Sequence, residues 1–171
     1  VRDLRRLNPA EGPLPAGWAR RLSYRTSLWY DGLSSRWMGD VAAFSGAARA
    51  PLELTAAGNF LGVFGEADER ALTAEVRADG RKVATFRGDH GAGPGRLFFW
   101  RTVLLDGWRD GASRVHAFAV DPVPSGDPKG EFRVGSVCTA TLVPSAGAGG
   151  SPSDATDAAA ALEALDHARG Q

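Results

Sequence analysis

Between residues 52 and 86 apolar and polar positions alternate and break in the rhythm of strands. Leu72-Thr73-Ala74-Glu75-Val76-Arg77 has period two, the pattern of a strand with one buried face. Asp79-Gly80 follows, and residues 81–86 read as the return strand. Asp-Gly between two such runs predicts a hairpin closed by a type I′ turn. Both central residues need positive φ, which Gly supplies and Asp tolerates. Phe60-Leu61-Gly62-Val63-Phe64 is apolar on both faces, which predicts a central strand. Gly62 has no side chain, so a neighbour can approach closely there. Gly58-Asn59 reads as a second tight turn, joining residues 52–56 to that strand.

The rest of the chain continues the theme. Residues 96–105, 114–120 and 131–143 are strongly β-forming. Residues 22–28 read as a strand ending at Asp31-Gly32, and residues 36–44 as a second, shorter one. Gly- and Pro-rich loops separate these runs at 88–95 and 121–130. Residues 1–17, with Pro9, Pro13, Pro15, Gly12 and Gly17, read as an extended lead-in. Residues 18–144 then form the β-domain, 145–153 a flexible linker, and 154–170 a short helix capped by Ser153. Seven to nine strands with no helix between them predict an all-β sandwich or barrel.

Charge narrows the partners. Twenty basic and twenty acidic residues cancel, which argues against a bulk electrostatic partner such as nucleic acid or an anionic membrane. No apolar run approaches the length of a membrane span. Cys138 is the sole cysteine, so no internal disulfide and no CxxC metal site can form; it reads as a small buried hydrophobe. The chain starts at Val1 and shows no signal peptide, which reads as an excised domain or a processed product.

Three stretches together resemble a known family. They are Asn59-Phe60-Leu61-Gly62-Val63-Phe64-Gly65, then Ala74-Glu75-Val76-Arg77-Ala78-Asp79-Gly80, then Leu104-Leu105-Asp106-Gly107-Trp108-Arg109-Asp110-Gly111. The third is followed by Arg114-Val115-His116-Ala117-Phe118-Ala119-Val120 and Gly130-Glu131-Phe132-Arg133-Val134. The set resembles the jelly-roll domain that accompanies many SGNH/GDSL-type carbohydrate esterases. The resemblance covers roughly residues 50–140. It implies an antiparallel two-sheet, jelly-roll-like sandwich, attached to or near a hydrolase of acylated sugars or glycans. The sequence does not fix the localisation; an extracellular or periplasmic setting is the favoured one. The resemblance does not carry esterase activity over. The family's catalytic domain needs a Gly-Asp-Ser block and a late Asp-x-x-His. Here Gly39-Asp40 precedes Val41, Gly88-Asp89 precedes His90, and no Asp-x-x-His occurs.

Other chemistry is thin. No Gly-x-Ser-x-Gly elbow is present, and Ser136 lies in a strand of ordinary alternation. His90, His116 and His167 have no second ligand at metal spacing. His116 shares parity with Phe118 and Val120 and reads as a partly buried strand residue with a satisfied hydrogen bond. No cofactor is expected. The aromatic residues say more. Trp29, Tyr30 and Trp108 sit beside Asp-Gly turns, where an aromatic face can stack on a pyranose ring while Asp and Arg read its hydroxyls. Trp29, Tyr30, Asp31, Trp37, Trp108, Arg25 and Arg109 are therefore the expected ligand-binding residues, and Trp100 is expected in the core. The expected partner is a glycan or acylated polysaccharide, alongside a catalytic domain of the same parent protein. The leading reading is a non-catalytic accessory module. A hydrolase with an unrecognised active site, or a structural interaction domain, stays open beside it.

Overall fold

The alternating stretches become ten strands in the computed structural model, which describes residues 1–24, 39–46, 50–87, 97–105 and 108–143. In chain order they are β1 (Arg2–Leu7), β2 (Trp18–Leu22), β3 (Asp40–Phe44), β4 (Leu52–Ala57) and β5 (Phe60–Ala67). Then come β6 (Ala74–Ala78), β7 (Arg81–Phe86), β8 (Leu97–Leu104), β9 (Val115–Pro122) and β10 (Phe132–Thr141). Single turns of 3₁₀-helix cover Pro9–Glu11 and Trp108–Asp110. The larger sheet runs β2-β3-β10-β5-β8, with β1 also paired to β10. The smaller runs β4-β9-β6-β7. Every pairing among them is antiparallel. The architecture is the all-β, antiparallel two-sheet, jelly-roll-like sandwich expected from the sequence.

Side-chain parity builds the core between the sheets. Leu61 and Val63 of β5, Phe99 and Val103 of β8, and Val134 and Val137 of β10 meet Val76, Phe118 and Val120 of the smaller sheet. Along β6 the alternation is strict: Ala74, Val76 and Ala78 are buried, and Glu75 and Arg77 are not. The Asp79-Gly80 hairpin is present with φ of 51° and 78°, the left-handed pair that a type I′ turn requires. β5 lies between β10 and β8, the central position that its apolar run predicted.

Local pattern misplaced several pieces. Residues 2–7 of the expected lead-in pair with β10 in register Arg5 to Thr139 and Leu7 to Val137, so the sheet begins before Trp18. β2 runs from Trp18 to Leu22, where the expected strand 22–28 begins, and residues 25–28 of that strand lie outside the described residues. Gly58-Asn59 does link β4 to β5, yet these strands belong to different sheets and do not pair. In β10 the register shifts between Val134 and Ser136, so inward residues change from even to odd numbers. The expected linker and helix, 145–170, lie outside the described residues. No helix among the described residues is long and apolar enough to cross a membrane.

Candidate functional site

The face of the larger sheet turned away from the core carries its own apolar cluster. Phe60, Ala140 and Leu142 are buried there, with Trp100, Leu104 and Trp108 packed against them. Trp100 is therefore not in the core between the sheets. Its neighbour Phe99 takes the inward position of β8. Trp100 lies over Gly62, where an added Cβ would stand 2.5 Å from its ring, so the missing side chain makes the seat. Its indole Nε1 is buried and has no acceptor among the described residues.

Trp108 opens the second 3₁₀ turn at the end of this cluster, half-buried, with the guanidinium carbon of Arg109 5.2 Å from its ring centroid. Asn59 holds it there. The Asn59 Nδ2 donates to the carbonyl of Trp108 at 3.2 Å and to that of Leu142 at 2.9 Å. Its Oδ1 accepts from the Leu142 amide at 2.7 Å. The Asn59 backbone takes the Leu105 amide and donates to Ala140. One buried side chain thus ties the end of β10 to the turn that presents Trp108 and Arg109.

A second polar cluster lies on the same outward face. The Glu66 side chain is fully buried and accepts from Arg133 Nε at 3.0 Å. Arg133 Nη1 donates to Glu131 at 2.9 Å, and Nη2 to the carbonyl of Leu22 at 2.6 Å. The Tyr24 ring covers the guanidinium, 4.0 Å from its centroid, and the Tyr24 amide donates to Glu66. Burial pulls the Arg133 guanidinium down, but the Glu131 hydrogen bond, with Tyr24 and Glu66, more than offsets it and holds it above its ordinary value. This cluster clamps the chain as it leaves β2 towards residue 25. Arg25, Trp29, Tyr30, Asp31 and Trp37 themselves lie outside the described residues. Of the seven expected ligand residues the structure describes Trp108 and Arg109, and it brings those two together.

With this geometry in place, two solved structures offer a comparison. A two-domain esterase, CEX, active on acetylated mannans and co-crystallised with mannopentaose, is 16% identical at a TM-score of 0.59, over 81% of this chain and 36% of that one. The catalytic unit of a thermostable GH87 α-1,3-glucanase from Streptomyces thermodiastaticus strain HF3-3 is 16% identical at a TM-score of 0.48, over 90% of this chain and 28% of that one. The likeness to the esterase is one of fold. Both neighbours are carbohydrate-active enzymes, and this chain spans well under half of either. No family model and no curated protein matches.

His116 has the satisfied hydrogen bond its parity predicted. Its Nδ1 lies 2.7 Å from Asp79 Oδ2, and its side chain is 18% exposed. Asp79 Oδ1 also accepts the Ala117 amide at 3.0 Å, and the Asp79 amide donates to the Ala117 carbonyl at 2.8 Å. The pair therefore staples the hairpin turn onto β9. Among the described residues no cluster of His, Cys, Asp or Glu could hold a metal ion. Cys138 is buried, as read from the sequence.

The His116 hydrogen bond, then the Ala117 amide, hold the Asp79 carboxyl below its ordinary value of 3.8. A depressed carboxyl stabilises the fold above its unfolded pKa, and that contribution is lost as pH falls through the folded one. A carbon-detected titration is therefore expected to place the Asp79 midpoint below 3.8, with the Ala117 amide resonance moving in step. A midpoint at or above 3.8 would contradict the staple.

Proposed function

We infer that this chain is an accessory β-sandwich module of an SGNH-type carbohydrate ester hydrolase that acts outside the cytoplasm. Its role is to bind a glycan or acylated polysaccharide and to orient it for a catalytic domain in the same parent protein. The observation that carries this reading is the seat of Trp108. A half-buried indole packs against the buried cluster of Phe60, Ala140 and Leu142, has the Arg109 guanidinium over its ring, and is fixed at its backbone by Asn59. An aromatic face held rigid before binding stacks on a pyranose ring with little further loss of side-chain freedom. Arg109 supplies hydroxyl or carboxylate contacts beside it. The fold shared with the acetyl-mannan esterase supports the setting. The clamped exit of β2 supports a second group of ligand residues at Arg25, Trp29, Tyr30, Asp31 and Trp37.

Isothermal titration of the chain against acylated and acidic polysaccharides tests the reading. Binding is expected without turnover of a chromogenic acetyl ester. Trp108→Ala is expected to weaken binding about tenfold or more, equivalent to about 1.4 kcal/mol, in a chain that still unfolds cooperatively. Unchanged affinity in that variant would remove Trp108 from the site. Ester turnover by the chain alone would overturn the accessory role.

A further inference from the structure

The outward face of the smaller sheet, on the opposite side of the sandwich from Trp108, carries a trough that the reading above leaves unused. Its middle strand is β9, whose outward residues there are Ala117, Ala119 and Asp121. Across the rungs, Ala119 stands between Glu53 of β4 and Arg77 of β6, and Ala117 faces Thr55 of β4. Two methyl groups between longer side chains leave an open channel of about 370 Å³ along the strand. That volume falls at the lower end of ligand clefts, roughly 300–1,000 Å³.

The banks are set for hydroxyl recognition. Arg77 Nη2 is held 3.1 Å from Glu75 and 3.6 Å from Asp121, and Lys82 Nζ is 3.1 Å from the same Glu75. Those two contacts use one guanidinium nitrogen and leave the N–H groups of Nε and Nη1 as oriented donors. Thr55 and Glu53 are exposed on the other bank, a hydroxyl and a carboxylate. Donors and acceptors therefore face each other across an apolar floor, the complement of vicinal hydroxyls around a ring whose C–H face rests on alanine methyls. Charge sets the class. Glu53, Glu75 and Asp121 stand against Arg77 and Lys82, three carboxylates to two cations, a balance that disfavours uronates and sulfated sugars.

We propose that this trough is a second glycan subsite, taking a short segment of a neutral, hydroxyl-rich oligosaccharide laid along β9. It rests on the glycan-binding reading and adds to it a second face and a charge preference. The test is a chemical-shift titration of the ¹⁵N-labelled full chain with mannopentaose and, separately, with an oligouronate of similar length. The neutral sugar is expected to move amides of β4, β6 and β9, and the oligouronate to leave them unmoved. Ala119→Leu, which fills the trough from an outward position, is expected to weaken that response about tenfold. Trp108→Ala should leave it unchanged. Ala117→Val, at an exposed strand site, serves the same purpose should Ala119→Leu fail to fold. Shifts confined to the Trp108 end, or trough shifts indifferent to both fillings, would overturn the subsite and leave the glycan reading standing. Shifts nowhere, with either sugar, would also overturn the subsite, and the titration against acylated polysaccharides then decides the glycan reading.

Discussion

Asn59→Leu is expected to lower the unfolding free energy by about 3–5 kcal/mol, because three backbone groups lose their partner at once and each buried orphan costs about 1–3 kcal/mol. Those groups are the Leu142 amide, the Leu142 carbonyl and the Trp108 carbonyl. Leucine has as many side-chain heavy atoms as asparagine, so no cavity opens and the loss comes chiefly from the missing hydrogen bonds. Asn59 is only 4% exposed, so water cannot replace the missing contacts without opening the cluster beneath Trp108. Urea unfolding should show a lower midpoint with an unchanged slope. Glycan affinity should fall further than in a variant of equal instability elsewhere, because the turn that presents Trp108 loses its anchor. A loss below about 1 kcal/mol would show that Asn59 is a turn residue and nothing more.

Arg133→Leu is expected to cost about 3–5 kcal/mol, the usual penalty for stranding one member of a buried ion pair. The stranded partner is Glu66, whose side chain has no exposure, and the Leu22 carbonyl loses its donor as well. The double variant Glu66→Leu/Arg133→Leu should recover much of the loss, since two apolar side chains of similar volume avoid the desolvation of two charges. A double-mutant cycle read by chemical denaturation settles it. Equal instability in the single and double variants would mean that shape, not charge, makes this cluster matter. The double variant should still bind glycan more weakly if residues 25–37 take part, because the tie to Leu22 is gone in both.

Strand identity was legible where one face is buried. The alternation of residues 72–77 and the Asp79-Gly80 turn named β6, β7 and their hairpin, because period two and positive φ are local properties. The seat of Trp100 was half legible. Gly62 announced a close approach, but nothing in the string said that the approaching group was Trp100 from β8 or that it came from the outward face. Residues 97–104 are apolar at too many positions for parity to be read from them alone, and the same is true of β10, where a register shift exchanges even for odd positions midway.

Asn59 was missed for a related reason. Asparagine after glycine is ordinary turn chemistry, and its three side-chain bonds reach residues 49 and 83 positions away. The trough was missed because Ala117, Ala119, Arg77 and Glu53 sit on three strands whose adjacency is not sequential. The Glu66–Arg133 pair spans 67 positions and had no signal at all.

The sequence by itself determined that the chain makes antiparallel layers, that no Gly-Asp-Ser nucleophile block is present, and that any chemistry at Trp108 and Arg109 starts from two neighbouring side chains. Only the tertiary structure decided which strands lie side by side, which face each aromatic residue takes, and which distant groups hold Trp108 and the exit of β2 in place. The physical reason is range. Backbone propensity and side-chain period act over a few residues. Sheet order and buried hydrogen bonds are chosen by the free energy of the whole packed sandwich.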